Sequence, residues 1–199
     1  MRKALITGAS EGIGREFCRQ LAKAGYQVTA VARNQIRLQE LQRELPGDGH
    51  QVRCCDLANP EQLAQLRESL GATPYDLLVN NAGIGLFGDF TSSDLAAHQA
   101  IVQVNIEALV ALSHAFLRGA KSGDALVNVS STLAFLPPAW APVYGATKAF
   151  VTSFSESLWA QNEAKGIYVM NLCPGATYTQ FHSRASGGAL ERQPPKGAT

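Results

Sequence analysis

The chain reads as one doubly wound α/β domain, a parallel sheet with helices on both faces, and three observations predict it. Short apolar runs alternate with longer helical patterns through most of the 199 residues. The first run closes on a glycine-rich turn that opens directly into a helix. A composition of 46% hydrophobic and 17% charged residues supplies one substantial core without a second domain. Strands buried on both faces and separated by helices imply right-handed crossovers and parallel pairing.

The elements follow in order. Lys3-Ala4-Leu5-Ile6-Thr7 is the first strand, and Phe17, Leu21 and Ala24 mark the helix after it. Tyr26 to Ala32 is the second strand, followed by a helix through Ile36, Leu38, Leu41 and Leu45 that Pro46-Gly47-Asp48-Gly49 ends. Gln51 to Cys55 is strand three, Asn59-Pro60-Glu61 opens a helix to Leu70, and Asp76 to Val79 is strand four. The spacing predicts a long helix over Ser93–Leu117 with Asp94 early in its first turn. Leu126 to Val129 is strand five, residues 143–165 form a helix, and Ile167 to Leu172 is strand six. The domain is expected to span 1–182, with a Gly/Pro-rich tail over 183–199.

Several function classes are disfavoured. With 17 basic and 16 acidic residues scattered without blocks, nothing marks a nucleic-acid or acidic-membrane surface, so the expected partners are small molecules. No uninterrupted apolar run approaches the roughly 20 residues of a membrane span, and a strand pattern begins by Ala4, so a cytoplasmic chain is expected. Cys18, Cys54, Cys55 and Cys173 lack metal-ligand spacing, and the four histidines are dispersed, so no metal is expected.

The chemistry-bearing residues lie at the ends of strands. Gly8-Ala9-Ser10-Glu11-Gly12-Ile13-Gly14 joins the first strand to its helix, and such a turn can bring backbone N–H groups and a helix dipole to a pyrophosphate, though taken alone it also serves as a connector. Arg33-Asn34 follows strand two, where an acidic residue would hold a ribose 2′-hydroxyl and a cation a 2′-phosphate; the charge favours NADP(H) over NAD(H), the alternative being an exposed helix-start arginine. Glu11 is an anion inside the turn and is expected to face solvent. Asp56-Leu57 and Asn80-Asn81-Ala82-Gly83 are strand exits that, in isolation, are ordinary loops. Asn105 interrupts an apolar helix and is either a structural hydrogen-bonder or part of a polar site. Tyr144 and Lys148 stand four apart on one helix face, where the ammonium is expected to lower the phenol's pKa.

Thr7-Gly8-x-x-x-Gly12-Ile13-Gly14, Asp56, Asn80-Asn81-Ala82-Gly83, Asn105, Asn128-Val129-Ser130-Ser131, Tyr144-x-x-x-Lys148 and Pro174-Gly175 together resemble the short-chain dehydrogenases/reductases over residues 3 to about 181. The resemblance implies a Rossmann-type sheet of about six strands in the order 3-2-1-4-5-6. It also implies a nicotinamide-dependent oxidoreductase that interconverts a ketone or aldehyde and an alcohol by hydride transfer. In it Asn105, Ser131, Tyr144 and Lys148 form a catalytic tetrad, with Tyr144 as acid, Ser131 stabilising charge on the carbonyl oxygen, and Asn105 placing a water. Ser131 is chosen over Ser130 for its thirteen-residue distance from Tyr144. The cofactor would be bordered by Gly8, Ser10, Gly12, Ile13, Arg33, Asn34, Asp56, Leu57, Asn81, Ala82, Gly83, Tyr144, Lys148, Pro174, Gly175, Thr177 and Thr179.

The departure from the family pattern lies at the carboxyl end, where a further strand and helix are usual. An open edge at strand six leaves the 93–117 and 143–165 helices as the expected homodimer surface. Ile84, Leu86, Phe87, Leu133, Phe135, Trp140 and Phe181 are the expected substrate-facing side chains, which points to an apolar carbonyl or alcohol. The rival expectation is an NADP(H)-binding sensor or scaffold of the same fold without turnover.

Overall fold

The computed structural model describes residues 1–177 and 179–188. Its centre is a six-stranded parallel sheet in the order β3-β2-β1-β4-β5-β6. The strands are β1 (Lys3–Thr7), β2 (Gln27–Ala32), β3 (Gln51–Cys54), β4 (Leu77–Asn80), β5 (Ala125–Val129) and β6 (Tyr168–Leu172). Alternate side chains feed two separate cores. Ala4, Ile6, Val28, Ala30, Val79 and Val127 face the helices α1 (Gly12–Lys23) and α2 (Gln35–Glu44). Leu5, Val31, Leu78, Leu126 and Val169 face α3 (Pro60–Ala72) and the helices that follow β4 and β5. Each fully buried leucine among them contributes roughly 1.5–3 kcal/mol.

Capping explains where the outer helices begin. Asn34 Oδ1 accepts from Arg37 N at 3.0 Å, and Asn59 Oδ1 accepts from Glu61 N and Gln62 N at 3.0 and 3.1 Å ahead of Pro60. Asp94 is likewise an N-cap and not a first-turn residue, its Oδ1 accepting from Ala96 N at 3.1 Å.

The long helix after β4 departs from the expected regular rod. It runs as α4 (Leu95–Val102), a π turn over Gln103–Glu107 and α5 (Ala108–Gly119). The π turn is centred on Asn105, whose amide is drawn to partners on two other segments, and this outweighs regular helical pairing. By length and composition Leu95–Gly119 could cross a membrane, a property that contiguous apolar runs do not reveal, yet it packs against α3 and α6 (Pro142–Asn162).

The expected tail boundary at 183 falls inside another helix, α7 (Phe181–Ala185). It is tied to the loop after β4 by Phe87 N donating to Ala185 O at 2.8 Å. The rest of the expected tail, 189–199, lies outside the described residues.

Candidate active site

A cavity of about 910 Å³ opens along the carboxyl ends of the strands, where β1, β4 and β5 meet the loops that leave them. Gly8, Ser10, Gly12, Ile13, Arg33, Asn34, Asp56, Leu57, Asn81, Ala82, Gly83, Ser131, Tyr144, Lys148, Pro174, Gly175, Thr177 and Thr179 all line it. The sheet gathers them because each belongs to a strand exit or to the helix that follows one.

One end is built from backbone. Gly8 and Gly12 take positive φ values of 66° and 54°. A side chain on Gly8 would come within 2.7 Å of Asn81 Nδ2, which donates to Thr7 O at 2.9 Å and Gly8 O at 3.2 Å. Asn81 thus braces the turn with its amide. Glu11 precedes α1 without capping it, so the first N–H groups of the helix keep the free donor character that suits a phosphate. Arg33 is exposed on the rim, and Asn34 already uses its side chain as the α2 cap.

Glu11 does not face solvent as expected. Its carboxylate accepts from Arg37 Nη1 at 2.6 Å and is paired with Arg184 on α7 at 2.5 Å. Two guanidinium groups therefore neutralise the anion inside the turn and tie it to α2 and α7. Neither arginine was singled out from the sequence. Arg37 follows Arg33 by one helical turn, a spacing that was available, whereas Arg184 lies 173 residues from Glu11 and carried no local signal.

The other end is built from buried side chains. Tyr144 and Lys148 occupy the first turns of α6, which Pro142 opens, and stay 7% and 4% exposed. Ser131 caps the 3₁₀ turn Thr132–Ala134, its Oγ accepting from Leu133 N at 3.2 Å, and its hydroxyl faces the Tyr144 phenol. Ser130 points the other way: its Oγ donates to Lys148 O at 2.8 Å and meets Thr152 Oγ1 at 2.8 Å. Lys148 Nζ donates to Val129 O at 2.8 Å and lies 5.7 Å from the Tyr144 ring centre.

The electrostatics correct one expectation. Burial pushes the Tyr144 phenol above its usual pKa, and the neighbouring Ser131 hydroxyl, not the lysine, works against that rise. Burial also depresses Lys148 to about 8, with Cys173 nearby acting in the opposite direction. The ammonium is turned toward a carbonyl, and its main effect is on its own titration.

Asn105 stands behind the cavity wall, 1% exposed. Its Oδ1 accepts from Ile84 N at 2.9 Å, and its Nδ2 donates to Ile84 O and Thr147 Oγ1, each at 3.0 Å. A side chain on Gly83 would stand 3.4 Å from both Asn105 Oδ1 and Lys148 Nζ, so the amide and the ammonium flank one glycine. Ile84, Phe87, Leu133, Trp140 and Phe181 line the cavity beside Tyr144. Phe135 is 62% exposed, and neither it nor Leu86 is on the wall, against expectation. His182 and Ile36 line it unforeseen.

The family model for short chain dehydrogenases matches residues 2–188. The chain belongs to that family. Among curated short-chain relatives, a probable NADP-dependent dehydrogenase of Haemophilus influenzae is 35% identical over 177 residues, covering 86% of this chain and 70% of the relative. Serine 3-dehydrogenase of Agrobacterium fabrum is 34% identical over 192 residues, covering 94% and 76%. The chain spans between 61% and 76% of the length of such relatives. Among solved structures, a short-chain dehydrogenase from Sphingobium yanoikuyae in complex with NADPH superposes with a TM-score of 0.86 at 33% identity, covering 96% of this chain and 78% of that one.

Proposed function

We propose that this short-chain oxidoreductase uses NADP(H) to interconvert a carbonyl and an alcohol, with Tyr144 as general acid and base. The observation that carries the reading is the buried cluster of Ser131, Tyr144 and Lys148 at the end of a cavity whose other end is a glycine turn. The cavity fits the cofactor: the close glycines admit a pyrophosphate against the α1 N-terminus, and Arg33 offers a cation to a 2′-phosphate. The NADPH-bound Sphingobium relative and the NADP-dependent Haemophilus relative support that choice.

When bound, the nicotinamide supplies or accepts the hydride. Ser131 donates to the substrate oxygen as negative charge develops there, and Tyr144 gives that oxygen its proton. Lys148, held by Val129 O, offers its remaining N–H groups to a ribose hydroxyl of the cofactor. Asn105 positions the wall through Ile84 and Thr147. Because burial lifts the phenol's pKa, Tyr144 is protonated at neutral pH, which favours reduction there. Alcohol oxidation needs the phenolate and is expected to rise with pH.

The same reading includes a homodimer through α4, α5 and α6. Val102, Phe150 and Trp159 are exposed on these helices, and Phe150 stacks on Phe154 at 5.6 Å. Light scattering after size exclusion measures it directly.

The test of function is steady-state reduction of a panel of ketones and aldehydes with NADPH. Wild-type turnover, lost in Tyr144→Phe with NADPH binding retained, supports the enzyme. NADPH binding without turnover of any carbonyl would select the sensor reading instead.

A further inference from the structure

Resting on the carbonyl–alcohol reading, we infer that the substrate is an uncharged aryl carbonyl, and that Glu11 maintains this specificity by holding Arg184 away from the pocket. The wall beside the Tyr144 phenol is aromatic and locked. The Phe181 ring lies 5.2 Å from the Tyr144 ring at 46°, and a side chain on Gly85 would come within 2.8 Å of Phe181 Cζ and shift the ring from this place. Phe87 stands edge-on to Trp140 at 4.6 Å and 6.3 Å from Phe181. Backbone bonds secure the three segments: Phe87 N donates to Ala185 O and Gly88 N to Trp140 O, each at 2.8 Å. A planar ring carried by the substrate carbon meets edges and faces suited to it.

Charge decides against an acid. Among the described residues that line the cavity beside these rings, the groups that can carry positive charge are Lys148, buried and bonded to Val129 O, Arg184, and His182, whose ring lies 5.9 Å from Phe87 and 5.8 Å from Phe181. Arg184 is turned to the glycine end, where Glu11 holds it at 2.5 Å. A substrate carboxylate would be desolvated against Phe87 and Phe181 with no lysine or arginine free to pair with it and only the His182 imidazole beside it, which disfavours it. The carboxylate of Glu11 is thus a specificity determinant that never touches the substrate.

The experiment compares kcat/KM for acetophenone and for 3-oxobutanoate, with NADPH, within each protein preparation, so that the ratio is independent of the active fraction. Wild type is expected to favour the aryl ketone by at least about 100-fold, the scale on which an unpaired buried polar group discriminates. Glu11→Gln is expected to lower that ratio by about tenfold or more by releasing Arg184, roughly the value of one charged hydrogen bond. Glu11→Gln combined with Arg184→Gln is expected to restore it. Phe181→Ala should lower the aryl-ketone to oxo-acid ratio, because the aryl ring loses its stacking partner and the oxo acid does not. A wild type that favours the oxo acid, or a ratio that Glu11→Gln does not move, overturns the inference while the oxidoreductase reading stands. Turnover of neither substrate nor of any other carbonyl by NADPH-bound protein overturns both.

Discussion

At the glycine-turn end of the cavity the polar groups are backbone N–H donors and arginines whose side chains are 41% and 54% exposed, for Arg37 and Arg184. At the opposite end Ser131, Tyr144 and Lys148 are no more than 8% exposed. The first region offers charge in a high-dielectric setting, where each contact is modest and salt-sensitive. The second holds polar groups out of water, where desolvation dominates their titration and an unmade hydrogen bond is costly. On the proposed function, binding and proton transfer are thereby divided between two electrostatic environments on one sheet edge.

Four substitutions sharpen or break that division. Ser131→Ala should lower kcat by roughly 10²–10³-fold with little change in NADPH affinity, as loss of a single oxyanion donor does; a rise in NADPH KM with kcat intact would erase the distinction between the ends. Lys148→Met should remove activity and yet stabilise the ligand-free chain. With Lys148 depressed to about 8 from 10.5, the unfolded chain binds more protons between those pH values, so wild-type stability rises across that window. Below pH 8 the full cost of the buried charge, about 3 kcal/mol, is present. The variant's advantage in urea denaturation should therefore be largest below pH 8 and vanish by about pH 10.5.

Arg33→Ala acts at the exposed end and is expected to raise KM for NADPH by about 10–100-fold at low salt, leaving NADH unaffected. Raising the ionic strength should shrink the difference. Asn59→Ala lies on α3, away from the cavity, and should cost about 1 kcal/mol of stability through the lost cap while both ends keep their kinetics. A kinetic effect there would mean that the ends are coupled through the whole domain.

The fold was legible because strand length and helix period are local properties, and parallel pairing with right-handed crossovers follows from them. Gly8, Asp56, Asn81, Tyr144 and Lys148 were legible as cavity residues because they sit at strand exits or one helical turn apart. Glu11 was misread because its orientation depends on Arg37 and Arg184, partners supplied by other segments. The direction of the Tyr144 shift was misread because burial outweighs charge, and burial is a property of the assembled fold. The helix at Phe181–Ala185 was hidden by the polar, glycine-rich residues beyond it, since its support comes from the loop holding Phe87.

The π turn at Gln103–Glu107 sets a length requirement on its helix. One residue advances a regular helix by about 100°. Deleting a residue between 103 and 107 would let the segment relax to ordinary α geometry with α4 and α5 still in phase, whereas the full-length segment forced into α geometry would turn one helix against the other by about 100°. His98 and Ile101, or else Leu112 and Phe116, would then swing out of their seats. The irregular turn acts as a phase adjuster, allowing one rod to seat Asn105 without misaligning either end.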